Sequence, residues 1–115
     1  MEEQLCTEKW VDRVAIVAAS GELDMLTAPQ LRDAVQSALA QNPAGLIVDL
    51  TNVDFLGSAG MQVLMEAHNQ TGGTETRFAV VADGSATSRP LKITGIADLI
   101  DLFSSLDDAV ENLTE

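Results

Sequence analysis

Three continuous apolar runs, Val14-Ala15-Ile16-Val17-Ala18, Leu46-Ile47-Val48 and Phe78-Ala79-Val80-Val81-Ala82, constrain what this chain can fold into more than any other feature. A strand with one wet face alternates apolar and polar residues, whereas a strand in the middle of a sheet under helices is apolar throughout. The runs therefore predict three central strands. Leu5 to Trp10 is a further strand-like run, separated from the first of them by Val11, Asp12 and Arg13, which predicts a hairpin with a tight connection.

Between the runs the period changes from strand to helix. Leu31, Val35, Ala38 and Leu39 fall at i, i+4, i+7 and i+8, and Met61, Leu64, Met65 and His68 at i, i+3, i+4 and i+7, so each set predicts the buried face of a helix. Thr27-Ala28-Pro29-Gln30 reads as a helix start, with Thr27 as N-cap, Gln30 placed for a capping box and Pro29 in the first turn; the helix should stop before Asn42-Pro43. A shorter helix is predicted from near Ser88, with Pro90 in its first turn and Gly95 as its stop. A last helix begins at Ser105 with Leu106, Ala109, Val110 and Leu113 on one face, and Leu99 to Phe103 suggests a short edge strand before it. Helices between core strands imply right-handed crossovers, hence an α/β fold: one mixed sheet of about four to five strands covered by about four helices, in a single domain over residues 1–115.

Charge excludes several partners. Six Lys and Arg stand against 18 Asp and Glu, a net charge of −12, and the six cations are scattered. A phosphate backbone needs several cations on one face and single strands need aromatic platforms, so neither nucleic acid nor an anionic membrane is an expected partner. Such a surface instead steers towards a partner with a basic patch. The single cysteine, Cys6, forms no internal disulfide and reads as a small hydrophobe; with no apolar run near ~20 residues and no signal-like start, the chain is expected to be cytoplasmic.

The stretch from Val48 to Met61 reads as a buried strand, a short loop and a helix opening at Ser58. Ser58 taken alone is an N-cap, whose hydroxyl accepts an early helix N–H. The same position suits a phosphoserine, because free N–H groups and the positive end of the helix dipole welcome an anion. Asp24, after a strand and three residues before Thr27, reads either as a turn-forming Asx residue or as a contact for a partner. Asp49 ends a strand with no acidic pair to hold Mg²⁺, and His68 on an apolar stripe with no Cys or His at metal spacing reads as a half-buried histidine. Leu56 stands where a nucleophile elbow needs glycine, and there is no P-loop or dinucleotide fingerprint. No metal, cofactor or catalytic set is expected, and the chain is read as a non-enzyme.

Gly21-Glu22-Leu23-Asp24, then Thr27-Ala28-Pro29, Val48-Asp49-Leu50-Thr51, Phe55-Leu56-Gly57-Ser58-Ala59-Gly60 and Leu91-Lys92-Ile93-Thr94-Gly95-Ile96 together resemble the STAS family (sulfate transporter and anti-sigma factor antagonist) over nearly the whole chain. Within it the chain most resembles free-standing bacterial anti-anti-sigma factors. That resemblance implies binding to an anti-sigma factor of the GHKL kinase fold, release of a sigma factor, phosphorylation of Ser58 by the same partner, and reversal by a PP2C-type phosphatase. It places the partner contact on two loops: Asp24, Met25, Leu26 and Thr27 on one, and Phe55, Leu56, Gly57, Ser58, Ala59, Gly60 and Met61 on the other. Met25, Leu26, Phe55, Leu56 and Met61 are expected to be exposed as the apolar centre of that contact. Gly57 departs from the family pattern, which has an acidic residue before the phosphoacceptor. The alternative is an accessory or scaffold STAS subunit of a larger complex, such as a lipid transporter, with Ser58 never phosphorylated.

Overall fold

The computed structural model describes residues 5–114. Five strands form one sheet in the order β1-β2-β3-β4-β5: β1 Cys6–Val11, β2 Val14–Leu23, β3 Gly45–Leu56, β4 Arg77–Val81 and β5 Asp101–Phe103. The β1–β2 hairpin is antiparallel and every later pair is parallel, which makes the sheet mixed. Its tight turn rests on Asp12, at φ +55°. Four helices cover the sheet: α1 Ala28–Leu39, α2 Ser58–Thr71, α3 Ser88–Ile93 and α4 Leu106–Thr114, with a 3₁₀ turn at Ile96–Asp98.

The position of the helices follows from the strand order. Each crossover from β2 to β5 moves one strand in the same direction, and a fixed crossover hand then deposits α1, α2 and α3 on one face. Leu31, Val35, Val63, Leu64 and Leu91 of those helices pack with Ala15, Val17, Leu46, Val48, Phe78 and Val80 of the sheet. The alternate residues Val14, Ile16, Ile47, Ala79 and Val81 point the other way, where Ala109 and Leu113 of α4 cover them. Two covered faces explain the continuous apolar runs.

Polar contacts on the surface hold the helices to this frame. Arg32 of α1 forms a two-armed pair with Glu66 of α2, at 2.9 and 3.2 Å. One turn further on, the side-chain amides of Gln36 and Gln70 exchange hydrogen bonds of 2.7 and 2.9 Å. Arg77 at the start of β4 donates to the Asn112 carbonyl and side chain, fixing the end of α4.

Three expectations are corrected. β2 and β3 run on to Leu23 and Leu56, well past the apolar runs, because they keep pairing with each other beyond a register shift between Ala18 and Ser20 and a second between Gly21 and Glu22. Gly21 takes φ +78° there, a left-handed conformation that suits glycine. Asp49 therefore lies inside β3 rather than at its end, with its carboxylate accepting the N–H and hydroxyl of Thr51. The buried face of α2 is Gly60, Val63, Leu64, Ala67 and Thr71, so Met61, Met65 and His68 lie on its flank, only partly covered. Small residues face inward because α2 crosses close to the sheet: a Cβ on Gly60 would stand 2.8 Å from Leu56 Cδ1 and 3.1 Å from Leu23 Cβ.

Cys6 is half-buried on β1, and burial pushes its thiol up from 9.0 to about 11. Since the thiolate is the reactive form, Cys6 in the folded chain should be alkylated by iodoacetamide at pH 8 roughly 100-fold more slowly than in the urea-unfolded chain. Equal rates would show that β1 does not shield it.

Candidate functional site

The parallel pairing of β2 and β3 sets Leu23 opposite Leu56, so the two loops that follow leave the sheet side by side at the carboxyl ends of adjacent strands. That is where open α/β sheets present their binding loops. The first loop, residues 24–27, is tied by Asp24, whose Oδ1 accepts the backbone N–H groups of Leu26 (2.9 Å) and Thr27 (3.0 Å). Thr27 occupies the cap position of α1, but its hydroxyl makes no cap bond and forms no capping box with Gln30. The hydroxyl turns back instead, donating to the Glu22 carbonyl at 2.7 Å and accepting the Asp24 N–H at 2.9 Å. Asp24 is thus the Asx residue of a turn, and Met25 and Leu26 at its tip are thrown outward, 80 % and 84 % exposed.

The Thr27 N–H, then the Leu26 N–H and the Thr27 hydroxyl, hold the Asp24 carboxyl below its ordinary value of 3.8. A depressed carboxyl stabilises the turn above the ordinary value, and that contribution is lost as pH falls through the lowered one. An NMR titration should place Asp24 below the ordinary aspartate value, and Asp24→Asn should remove the acid-induced loosening of residues 24–27 while leaving the neutral-pH fold intact.

The second loop is a single residue. Gly57 is the cap of α2, with extended backbone at φ −87° and ψ 178°, and its N–H donates to the Leu23 carbonyl at 2.9 Å. Ser58 is consequently the first residue of the helix rather than its cap, and no side chain caps α2. The correction has a simple cause: β3 continues to Leu56, which leaves only Gly57 between strand and helix. The first backbone bond of α2 runs from the Met61 N–H to the Gly57 carbonyl, so the N–H groups before it lack intrahelical partners beside an exposed Ser58 hydroxyl.

The structure brings Asp24, Met25, Phe55, Gly57, Ser58 and Ala59 around one shallow cleft of about 440 Å³. Phe55 is 51 % exposed and its ring lies against Gly57, where a Cβ would stand 3.0 Å from Cε2. Two expected members do not reach this surface: the Leu56 and Gly60 positions are buried against Leu23. Leu56 points inward because it is the strand residue opposite Leu23, which makes it core rather than part of an exposed apolar centre. Met61 is only partly exposed and packs on the core. Gln62 joins the cleft although no motif marked it; its signal was its place one helical turn after Ser58.

His68 lies apart, beside Thr71, Phe78 and Asp101 near the other end of α2. Among the described residues no three His, Cys, Asp or Glu side chains converge as a metal-binding group, and no helix is long and apolar enough to cross a membrane.

A five-stranded mixed sheet with three crossover helices on one face, and paired loops framing a serine at the start of α2, describes a known class of domain. The STAS domain model matches residues 9–109, and this chain belongs to that family. The anti-sigma-F factor antagonist RsfB of Mycobacterium tuberculosis is 41 % identical over 97 residues, which are 84 % of this chain and 79 % of RsfB. The crystal structure of an anti-sigma factor antagonist from Mycobacterium paratuberculosis superposes with a TM-score of 0.90 at 38 % identity, over 96 % of this chain and 93 % of that one. The Bacillus cell fate determinant SpoIIAA, solved in its phosphorylated form, shares the fold at a TM-score of 0.72 and 15 % identity, over 94 % of this chain and 98 % of SpoIIAA.

Proposed function

We propose that this chain is an anti-sigma factor antagonist: a non-enzymatic cytoplasmic protein that binds an anti-sigma factor of the GHKL kinase fold through the Ser58 surface and so releases a sigma factor. The observation that carries this reading is an exposed, uncapping serine on the first turn of α2, set in one cleft with the exposed Met25 and Phe55. Exposed apolar side chains around a polar, switchable centre suit a reversible protein contact. The net charge of −12 speeds encounter with a basic partner.

In this reading the partner transfers the γ-phosphoryl group of ATP to the Ser58 hydroxyl, releasing ADP, and a PP2C-type phosphatase hydrolyses the ester. The phosphate adds about −1.5 to −2 charges. It sits well on the free N–H groups of α2, yet it must be stripped of water inside the contact, so the fold survives and the complex does not. Asp24 acts as a polar rim to the same contact.

Gly57 favours one competing reading, an accessory STAS subunit in which Ser58 is never phosphorylated, because the family's acidic residue is missing beside it. Backbone strain does not account for the glycine: φ −87° is open to any residue, and an aspartate would require only that the Phe55 ring yield by a few tenths of an ångström. Pull-downs from native lysate with wild-type and Ser58→Asp bait separate the two readings. Capture of a GHKL-type kinase by wild type alone, with phosphate on Ser58, is the expected result. The same non-kinase partner on both baits, with no phosphate, would establish the accessory subunit instead.

A further inference from the structure

We propose that the outer face of α3 is a second docking surface, built for an acidic segment of a protein partner that also carries an apolar side chain. The proposal goes beyond the Ser58 switch and does not rest on it. Arg89, Lys92 and Ile93 stand at i, i+3 and i+4, on one side of the helix. The opposite side is anchored by buried Leu91 and Thr87, so this face is held rigidly outward. Ile93 is 76 % exposed, more than the scattered surface apolar residues of β1, and belongs to neither core cluster.

The cations are the second observation. In a chain of net charge −12, Arg32 pairs with Glu66, Arg13 donates to the Asn42 carbonyl and Arg77 to Asn112, while Lys9 stands alone on β1 with no ion pair among the described residues. Arg89 and Lys92 have no ion pair among the described residues, and they border one cleft of about 290 Å³ with Gly84, Ser85, Ser88 and Ile93. A chain so acidic could neutralise both cations internally; leaving them side by side next to a bare isoleucine makes a small surface complementary to carboxylates.

The same observations select the occupant. Two water-exposed cations hold a small free anion weakly, and inorganic phosphate has no apolar part to set against Ile93, so it gains little here. Two cations are also too few for a nucleic-acid backbone. A peptide segment can place carboxylates on Arg89 and Lys92 and cover Ile93 with an apolar side chain, adding a hydrophobic contribution that phosphate lacks. This face shares no lining residue with the Ser58 cleft.

The test is site-specific photo-crosslinking in cells with the full chain, placing the photoreactive residue at position 93, at position 55, or at exposed position 75 at the other end of the molecule as background. Position 93 should yield protein adducts well above position 75, mapping to acidic segments. Arg89→Glu combined with Lys92→Glu should cut the yield at least ~10-fold with the urea midpoint unchanged, while Ser58→Asp leaves it standing. A yield at 93 no higher than at 75, adducts on segments without an acidic excess, adducts between two copies of this chain, or a yield untouched by the double charge reversal would each overturn the proposal. Position 55 reports on the Ser58 surface independently: adducts at 55 with none at 93 defeat this inference alone, and the reverse defeats the Ser58 reading alone.

Discussion

Leu23→Ala is expected to lower the unfolding free energy by about 2–5 kcal/mol and to weaken partner binding with it. Leu23 is fully buried at the last position of β2, opposite Leu56 across the parallel ladder. Its carbonyl accepts the Gly57 N–H, and its Cβ is what a side chain on Gly60 would strike. The side chain therefore fills the space under both loops and the first turn of α2. Truncation removes its transfer free energy and leaves a cavity that the rigid α2 crossing cannot close, which puts the cost towards the upper part of the range. Urea unfolding should show a lower midpoint at unchanged m-value. Met25→Ala, two residues away but almost fully exposed, should change stability by no more than about 0.5 kcal/mol while reducing partner affinity. A loss below about 1 kcal/mol for Leu23→Ala would mean that the loops are not seated on this residue.

Ser58→Asp should abolish most partner binding without unfolding the chain. A carboxylate on the first turn of α2 meets N–H groups that lack intrahelical partners and the positive end of the helix dipole, a favourable interaction of about 0.3–1 kcal/mol. Thermal and urea midpoints should hold or rise slightly. Inside the contact the same charge loses its water, and a penalty of about 2 kcal/mol or more corresponds to at least a ~30-fold rise in Kd. Ser58→Ala is the informative companion. If Ser58 capped α2, alanine would cost about 1 kcal/mol; because Gly57 holds the cap and the serine makes no cap bond, alanine should leave both stability and affinity near wild type. Grossly earlier melting of Ser58→Asp, or unchanged affinity, would remove the electrostatic account of the switch.

Local chemistry carries its own instructions, and those features were readable in the chain. The apolar runs at 14–18, 46–48 and 78–82 became β2, β3 and β4 because a strand under two layers needs no polar side. Pro29 and Pro90 lie in first turns, Gly95 ends the third helix segment at φ +83°, and the Ser105 hydroxyl accepts the Asp108 N–H at the start of α4. The exposed part of the site was legible for the same reason: Met25, Leu26 and Phe55 flank turn and serine motifs that are local in sequence.

What sequence alone left undecided depends on partners distant in the chain. The polar residues Thr51, Asn52 and Asp54 remain strand because β2 supplies the pairing, and that extension alone moves the cap of α2 from Ser58 to Gly57. Leu56 and Gly60 leave the surface because they pack on each other and on Leu23, more than thirty residues earlier. The buried stripe of α2 turns towards Gly60, Val63 and Ala67 because close crossing over the sheet rewards small side chains, which the 3.6-residue period of the larger ones cannot report. Composition and spacing determined which elements form; register and close approach, set only when β2, β3 and α2 meet, decided which atoms face the solvent around Ser58.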